Sequence, residues 1–417
     1  MAHPFSLFDF PMIFYYSLTH SNLFIKEGSL PMITSGFTYI AVIVFFAGAL
    51  VWAEKVFNGR FFKYLPAVVL IYLGAMLLST FGLWTKTQDV NLYYKIAKTN
   101  LLPVMIFLML LRCDLRKIMK LGPRMLLGFF TASFSIMLGF VIVYAVFKRM
   151  YEPNTWKAFA ALSGSWMGGT GNMVAIQGAL NVPSAKMGYA LLMDSIDYAV
   201  WVMILLGIVP FAPIFNRWTR SDTALIDQIG THLKETQEKV RKNIEFPDLI
   251  LLIGISLIAA ALSMHLAEIL PTTPFITSTA WAVIIVTIAG IICAMTPLAQ
   301  IPGSSQLSNV ALYTLVGLIG SRANFAELTQ APLYIISGFL IIGIHALVLV
   351  LAAKLFKLDL FTCGVASLAN IGGVASAPIL ATAHNEALGP IGVLMALMGY
   401  IIGTGGGLIV GKILSML

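Results

Sequence analysis

The run Ser163-Gly164-Ser165-Trp166-Met167-Gly168-Gly169-Thr170-Gly171-Asn172 is polar and rich in glycine, although long apolar segments surround it. Glycine inside a helix costs about 1 kcal/mol relative to alanine, so this composition predicts that a helix breaks within the run. At membrane depth, an irregular backbone is tolerated only where protein encloses it or where it lines a polar cavity. The run therefore predicts a binding site rather than an uninterrupted membrane-spanning helix.

A second run of this kind, Ser367-Leu368-Ala369-Asn370-Ile371-Gly372-Gly373-Val374-Ala375-Ser376, lies in the other half of the chain. In both runs a serine precedes the glycine pair by five residues. A second pair of similar segments lies before the two runs. The first run is preceded by Arg112-Cys113-Asp114-Leu115-Arg116-Lys117-Ile118, and the second run is preceded by Arg322-Ala323-Asn324-Phe325-Ala326-Glu327-Leu328. The chain is therefore predicted to contain two repeats. Glycine-interrupted apolar segments at corresponding places in two halves indicate the binding site of a secondary transporter.

The composition of the chain sets its class. Hydrophobic residues make up 59% of the 417 residues and charged residues 11%, with a mean hydropathy of +0.89. A soluble protein of this length could not bury so much apolar surface, so we predict a polytopic membrane protein. The net charge is +8, but the basic residues form short blocks between apolar runs, as topology signals do, and we expect no nucleic-acid partner. The three cysteines lack the spacing of a disulfide framework or a metal site.

The apolar runs indicate an all-α fold in two halves. We predict an interfacial segment at 1–35, a first transmembrane repeat at 36–215, a hydrophilic connector at 216–245 and a second transmembrane repeat at 246–417. Each repeat contains about five runs that can cross about 30 Å of hydrocarbon, together with one glycine-rich element. We expect no removable signal peptide, because no basic segment with a following cleavage site is found at the start of the chain.

Two basic clusters bear on the topology, one at 112–124 and one in the connector. If the first glycine-rich element turns back inside the membrane, both clusters are cytoplasmic; if it crosses, they lie on opposite faces. The excess of lysine and arginine in cytoplasmic loops favours the first alternative. Three spans separate the connector from Arg322, which then lies outside. The two repeats are therefore predicted to be inverted relative to each other.

Two aspartates follow the first glycine-rich run within one apolar span. Asp194 and Asp197 are three residues apart and share a helix face. An aspartate at the centre of a membrane helix costs roughly 2.5–3.5 kcal/mol, so two in one span suggest a function. Carboxylate oxygens suit a hard cation such as sodium and can also carry a proton, and we predict that Asn172 contributes to this ion site. The alternative is that one aspartate lies near the membrane interface or pairs structurally with Lys186 or Arg149.

Other polar and small residues are further candidates. His345 lies in an apolar span, where a histidine acts either as a proton relay or as a neutral packing group with one hydrogen bond. Gln306, Ser308 and Asn309 are candidates for lining the cavity. Glycines at every fourth position of the last span predict close approach of a neighbouring helix rather than ligand contact. These glycines are Gly399, Gly403, Gly407 and Gly411.

The run from Ser163 to Met173, the span with Asp194 and Asp197, and the segment from Asn370 to Gly373 resemble the DUF819 membrane proteins. The resemblance covers nearly the whole chain. It implies a place in the superfamily of sodium/proton antiporters, bile-acid sodium symporters and glutamate or citrate sodium symporters. It also implies inverted repeats, a mobile core domain that holds the two broken elements, a dimerising scaffold domain and an elevator-like motion. Antiporter relatives carry adjacent acidic or Asn-Asp pairs, whereas the aspartates here are three residues apart and have no acidic counterpart in the second half.

We therefore predict a secondary active transporter for a small organic anion, with sodium or a proton as the coupling ion at Asp194, Asp197 and Asn172. Half-helix N-termini that meet near the membrane midplane carry partial positive charge and favour an anionic solute. Cation/proton exchange without an organic solute is the alternative. The residues predicted to bind the solute are Ser163, Ser165, Gly168, Gly169, Thr170, Gly171, Asn370, Gly372, Gly373 and Ser376.

The alternative from a different functional class is an intramembrane enzyme. Ser165 lacks the Gly-x-Ser-Gly context of a serine nucleophile, and the two aspartates lack the Gly-x-Gly-Asp context of an aspartyl protease. We therefore expect no catalytic activity and no cofactor beyond the coupling sodium ion or proton. The expected partners are a small anionic solute, membrane lipid and a second copy of the chain, in the cell inner membrane.

Overall fold

The structure is a computed structural model that describes residues 32–57, 62, 66–221, 243–273, 276–323, 331–385 and 388–417. Within these ranges the regular secondary structure is helical apart from one isolated β-bridge between Ile33 and Trp84, which confirms the predicted all-α fold. Most of the predicted interfacial segment and connector, and the second arginine motif beyond Ala323, lie outside the described residues.

The described residues form sixteen α-helices, several of which begin at a side-chain cap. Thr87 caps α3, for example, and Glu245 and Asp248 form a capping box at the start of α10. The helices are α1 (Gly36–Phe57), α2 (Ala67–Thr80), α3 (Gln88–Leu110), α4 (Leu115–Ile118), α5 (Gly122–Phe147), α6 (Thr155–Gly168), α7 (Thr170–Leu180), α8 (Ser184–Ile208), α9 (Ala212–Thr219), α10 (Phe246–Ile269), α11 (Ser278–Ala294), α12 (Ser304–Gly320), α13 (Ala331–Phe356), α14 (Leu360–Ile371), α15 (Gly373–His384) and α16 (Gly389–Met416).

Among the described residues, six helices are long and apolar enough to cross a membrane: α1, α5, α8, α10, α13 and α16. The short helices α4 and α9 extend two of them, α5 and α8. Three other helices that were predicted to cross the membrane are shorter than these six. The helix α2 has 14 residues, and α11 and α12 have 17 residues each. A helix of 14 residues is about 21 Å long, less than the hydrocarbon thickness of a bilayer.

The first glycine-rich run forms a helical hairpin. The helix breaks at Gly169, whose φ of +87° is a conformation that glycine adopts without strain, and this confirms the predicted break. The side chain of Ile176 in α7 packs on Gly164 in α6, although twelve residues of continuous helix would separate them by about 18 Å. Trp156 and Leu180, at the outer ends of the two helices, approach the same glycine of α16. The element, which we call hairpin 1, therefore turns back on itself.

The second glycine-rich run also turns back, between α14 and α15, and we call this element hairpin 2. Its turn contains Gly373, with a φ of +59°. A Cβ added at Gly364 would lie 3.1 Å from Cδ2 of Leu380, so the two helices pack side by side. The rings of Phe361 and His384, at the two outer ends, have centroids 5.4 Å apart.

The two hairpins enter from opposite ends of the molecule, and α13 links them. Near the start of α13, the Tyr334 hydroxyl lies 2.7 Å from Thr155 Oγ1, at the base of hairpin 1. The C-terminal end of α13, at Phe356, leads through a short loop to Leu360, at the base of hairpin 2. The turns of both hairpins therefore point into the interior from opposite sides.

The glycine face of α16 packs on hairpin 1, as the spacing predicted. A Cβ added at Gly399, Gly403 or Gly407 would lie 2.8–2.9 Å from a backbone carbonyl oxygen of α6, closer than real Cβ atoms come. The absence of side chains at these positions therefore allows the two backbones to approach each other closely.

The helices pack in two groups. The first helix group contains α1, α2, α3, α10, α11 and α12, and the hairpin group contains α5 to α8 and α13 to α16. Most contacts lie within each group, and the contacts between the groups centre on α7 and α8.

Candidate functional site

A cavity of about 300 Å³ lies between the two helix groups, and the turns of both hairpins line it. Hairpin 1 contributes residues 169–171 and hairpin 2 contributes residues 371–375. Asp194 and Tyr198 of α8 complete the side formed by the hairpin group. The structure thus brings the two glycine-rich runs together around one space, although about two hundred residues of sequence separate them.

The helices α7 and α15 both begin at this cavity. In the described part of the chain, no side chain caps either N-terminus. The first backbone N–H groups of a helix lack partners within the helix and carry partial positive charge. Thr170 and Gly171 of α7, and Gly373 and Val374 of α15, line the cavity. The cavity therefore offers two sets of donors to an anion.

Asp194 lies half-buried at the wall of the cavity and is held by hairpin 1. Its carboxylate accepts hydrogen bonds from Ser165 Oγ at 3.1 Å and from Trp166 Nε1 at 3.0 Å. Lys186, considered as a structural partner, pairs with Glu152 instead. No ion pair of Asp194 or Asp197 is found among the described residues. The structure therefore does not support salt-bridge formation as the role of the two aspartates.

Asp197 is fully buried and is not among the residues that line the cavity. Neither carboxyl oxygen has a hydrogen-bond partner among the described residues. The carboxyl lies against Gly338 of α13, where an added Cβ would come within 2.6 Å of Asp197 Cγ. A charged carboxylate in such surroundings is unfavourable unless a cation or a proton neutralises it. Within the described ranges, no cluster of three or more His, Cys, Asp or Glu side chains could hold a metal ion.

Asn172 does not line the cavity but ties hairpin 1 to α16. Its Nδ2 donates to the carbonyl oxygen of Gly168 at 2.8 Å and to that of Gly399 at 3.4 Å, and its Oδ1 accepts from Thr404 Oγ1 at 2.6 Å. Ser163 donates to a carbonyl of its own helix, and Gly168 packs against α16. These three predicted site residues therefore support the turn rather than face the cavity.

In hairpin 2, Asn370 plays a part similar to that of Asn172 in hairpin 1. It is fully buried, donates to Ala366 O at 2.9 Å and accepts from Ser133 Oγ at 2.7 Å, which ties the hairpin to α5. Ser376 lies beside Gly372 and is almost fully buried. Neither Asn370 nor Ser376 lines the cavity, whereas Ser165 and the turn glycines do.

The family model described as "Protein of unknown function (DUF819)" matches residues 41–417. The chain belongs to this family. The DUF819 protein is also 25% identical over 359 residues to the uncharacterized membrane protein YjcL of Bacillus subtilis (strain 168), an alignment that covers 82% of this chain and 89% of that relative. The predicted family is thus confirmed and the chain is a membrane protein, while its place in the wider superfamily stays a prediction.

Arg112 is the main feature of this DUF819 site that sequence reasoning missed. Its place in a basic cluster indicates a topology signal, but the structure places Arg112 at the cavity, with Nη1 donating to Ser305 Oγ at 3.0 Å. Its position at the end of α3, opposite the hairpin turns, follows from tertiary packing and has no local sequence signal. Ser308 and Asn309 line the cavity as predicted, and Gln306 does not.

His345 of the DUF819 protein lies in a buried polar network away from the cavity. Its Nδ1 is 2.7 Å from Ser135 Oγ and its Nε2 is 2.8 Å from Ser367 Oγ, which also accepts from Trp201 Nε1 at 2.8 Å. The network joins α5, α8, α13 and α14. It therefore satisfies both ring nitrogens, as a packing histidine requires.

Proposed function

We propose that this protein is a secondary active transporter that couples the movement of a small organic anion to sodium or protons by an elevator-type mechanism. The observation that carries the proposal is the meeting of the two hairpin turns and Asp194 at one cavity. Uncapped helix N-termini suit an anion, and the carboxylate suits a cation.

The order of elements supports inverted repeats over 36–215 and 246–417. Each half runs through three helices, one long helix, one hairpin and another long helix. The two hairpins enter from opposite ends, as an inversion between the halves would require.

The two helix groups are suited to be the scaffold and the moving core of an elevator. The hairpin group contains both turns and both aspartates, so a solute and an ion bound there would move with it. The first helix group closes the other side of the cavity. Relative movement of the two groups would open the cavity to one side of the membrane and then to the other. We extend the proposal to a homodimer formed through the first helix group, in the lipid of the cell inner membrane.

The coupling ion is proposed to bind at Asp194 and Asp197. Asp194 is half-buried and lines the cavity, and Asp197 has no protein partner for its carboxyl among the described residues. Asn172, also predicted as an ion ligand, is occupied by its bonds to α16, so we assign it to holding the turn of hairpin 1. A sodium ion or a proton would neutralise the buried carboxyl.

Cation/proton exchange without an organic solute is the second candidate. The buried and unpartnered Asp197 favours it, because an antiporter needs a carboxyl that alternates between the two cations. The cavity and its donors favour a solute. Hydrolysis is disfavoured, since no histidine is among the described residues that line the cavity beside Ser165.

The experiment uses proteoliposomes in a mixture of small organic acids, with an imposed sodium gradient or pH gradient. Mass spectrometry then identifies what accumulates inside. We expect at least one organic anion to accumulate only when one of the gradients is present. Dissipation of the gradients without solute accumulation would support the antiporter, and the appearance of new compounds would support an enzyme.

A further inference from the structure

Arg112 carries a charge that no carboxylate among the described residues neutralises. Among the described residues no carboxylate lies within ion-pair distance of its guanidinium, and its hydrogen bond goes to the neutral Ser305 hydroxyl. The neighbouring Arg116, by contrast, pairs with Asp114, which holds the pKa of Asp114 below its usual value. The half-buried guanidinium of Arg112 therefore lines the cavity, and most of its five N–H donors have no hydrogen-bond acceptor among the described residues.

Arg322, the matching residue in the other half of the chain, has a different environment. Its guanidinium lies 4.2 Å from the ring centroid of Tyr94 and 5.7 Å from that of Tyr39. It also donates to Asn91 Oδ1 at 2.6 Å. Aromatic faces and an amide thus hold Arg322, whereas no such contact of Arg112 is found in the part of the chain that the structure describes.

The charges around the cavity limit what it can hold. Among its described lining residues, Arg112 is the one basic residue and Asp194 the one acidic residue. A solute with two or three negative charges would find only one basic side chain among these residues, and the partial charge of a helix N-terminus is weaker than that of a guanidinium. The volume of about 300 Å³ lies at the lower end of the range for small-molecule sites.

Apolar surface makes up more of the wall than polar surface, and side chains of both groups contribute to the apolar part, including Val68, Met105, Leu312 and Val374. Hydroxyl and amide side chains, such as Asn309, also line the cavity. The apolar part receives a hydrocarbon or aromatic body better than further carboxyl groups.

We infer that Arg112, positioned by Ser305, recognises a single carboxylate on the transported solute, and that the apolar wall receives a short hydrocarbon or aromatic body. The inference rests on the proposed transport function and names its substrate class, a monocarboxylate. The planar guanidinium matches a carboxylate with two parallel hydrogen bonds, which an ammonium group cannot do.

The test measures binding to the purified full-length protein at saturating sodium by calorimetry. The probes are hexanoate and benzoate, their uncharged amides hexanamide and benzamide, and the multivalent succinate and citrate. The variants are Arg112→Gln, Arg112→Lys and the matched control Arg116→Gln, which removes the same charge from an exposed arginine four residues away. Thermal unfolding without ligand checks that each variant is folded.

We expect a monocarboxylate to bind while its amide does not. Arg112→Gln should raise the Kd of that monocarboxylate about tenfold to hundredfold, since the charge-assisted pair between the half-buried guanidinium and the carboxylate is lost. Arg112→Lys should weaken it less, and Arg116→Gln should leave it unchanged. If Arg112→Gln does not fold, a loss in Arg112→Lys relative to Arg116→Gln still supports the inference.

Equal monocarboxylate binding in wild type and Arg112→Gln would overturn the role of Arg112 and leave anion transport intact. Tighter binding of succinate or citrate than of either monocarboxylate would overturn the substrate class but not the proposed function. Absence of binding by every anion in the panel would contradict the inference and would also favour cation/proton exchange.

Discussion

Gly338 determines the surroundings of the buried Asp197. Both lie in long apolar helices, and a single methyl group at residue 338 would overlap the Asp197 carboxyl. Gly343, five residues further along α13, has no neighbouring atom within 4 Å of an added Cβ. The two positions therefore form a matched pair in one helix, since alanine crowds the carboxyl at one of them and fills open space at the other.

We predict that Gly338→Ala weakens cation binding about tenfold or more, because the carboxyl must leave its position, whereas Gly343→Ala does not change it. The measurement is the increase in Tm on adding sodium, or on lowering the pH if protons are the coupling ion. The same increase in both variants would mean that the position of Asp197 does not matter for ion binding.

At the scale of elements, the turns of the hairpins depend on glycine for backbone reasons. Gly169 has a φ of +87° and Gly373 a φ of +59°, and no atom lies closer than 3.6 Å to a Cβ added at either position. A substitution there meets backbone strain of roughly 1–3 kcal/mol rather than a clash.

We predict that Gly169→Ala and Gly373→Ala each reduce transport at least severalfold while membrane insertion is retained, because the turn no longer holds its N–H groups in place. Gly254→Ala in α10 is the control, since it lies in regular helix with open space around it. Transport assays on equal amounts of inserted protein provide the comparison. Full activity in both turn variants would show that the turns need no particular conformation.

The α16 interface gives a stability prediction at the same scale. Gly399→Ala places a Cβ 2.8 Å from the Met167 carbonyl oxygen, so we expect destabilisation of about 1–3 kcal/mol from overpacking. Gly405→Ala, in the same helix, meets no atom within 4 Å and should be nearly neutral. Thermal unfolding in detergent measures both, and equal Tm values would contradict the close backbone approach.

The sequence predicts a feature of these elements well when the residues that cause the feature lie within the element itself. The breaks at Gly169 and Gly373 and the close packing of α16 follow from glycine spacing, because backbone strain and side-chain size act on the residue itself. Glycine spacing alone does not predict the reversal of each hairpin, since a broken helix can also continue across the membrane. The placement of lysine and arginine favours the reversal in the first half, and contacts such as Ile176 on Gly164 show it. The cavity position of Arg112 likewise depends on how distant helices pack.

At the scale of the whole molecule, the opposed hairpins and the basic clusters together predict an inverted topology. A cysteine at Lys117 should react with an impermeant reagent from the cytoplasm, and a cysteine at Glu327, which lies outside the described residues, should react from the other side. Labelling of intact cells and of inverted vesicles distinguishes the two faces. Reaction of both cysteines from one face would exclude inversion of the two halves.

The central claim is that Asp194 and Asp197 couple a cation to movement of the solute. Coupling between bound species is reciprocal, so the cation should tighten solute binding and the solute should tighten cation binding. Replacing both carboxylates by Asn preserves side-chain size but removes the charge that holds the cation.

The most direct test is accumulation of the solute in proteoliposomes under a sodium gradient or a pH gradient, with wild type and the Asp194→Asn/Asp197→Asn double variant compared at equal protein. We predict that wild type accumulates solute with one of the two gradients and that the double variant only equilibrates it or does not move it. Accumulation against a gradient by the double variant, with unchanged dependence on sodium and pH, would contradict the claim.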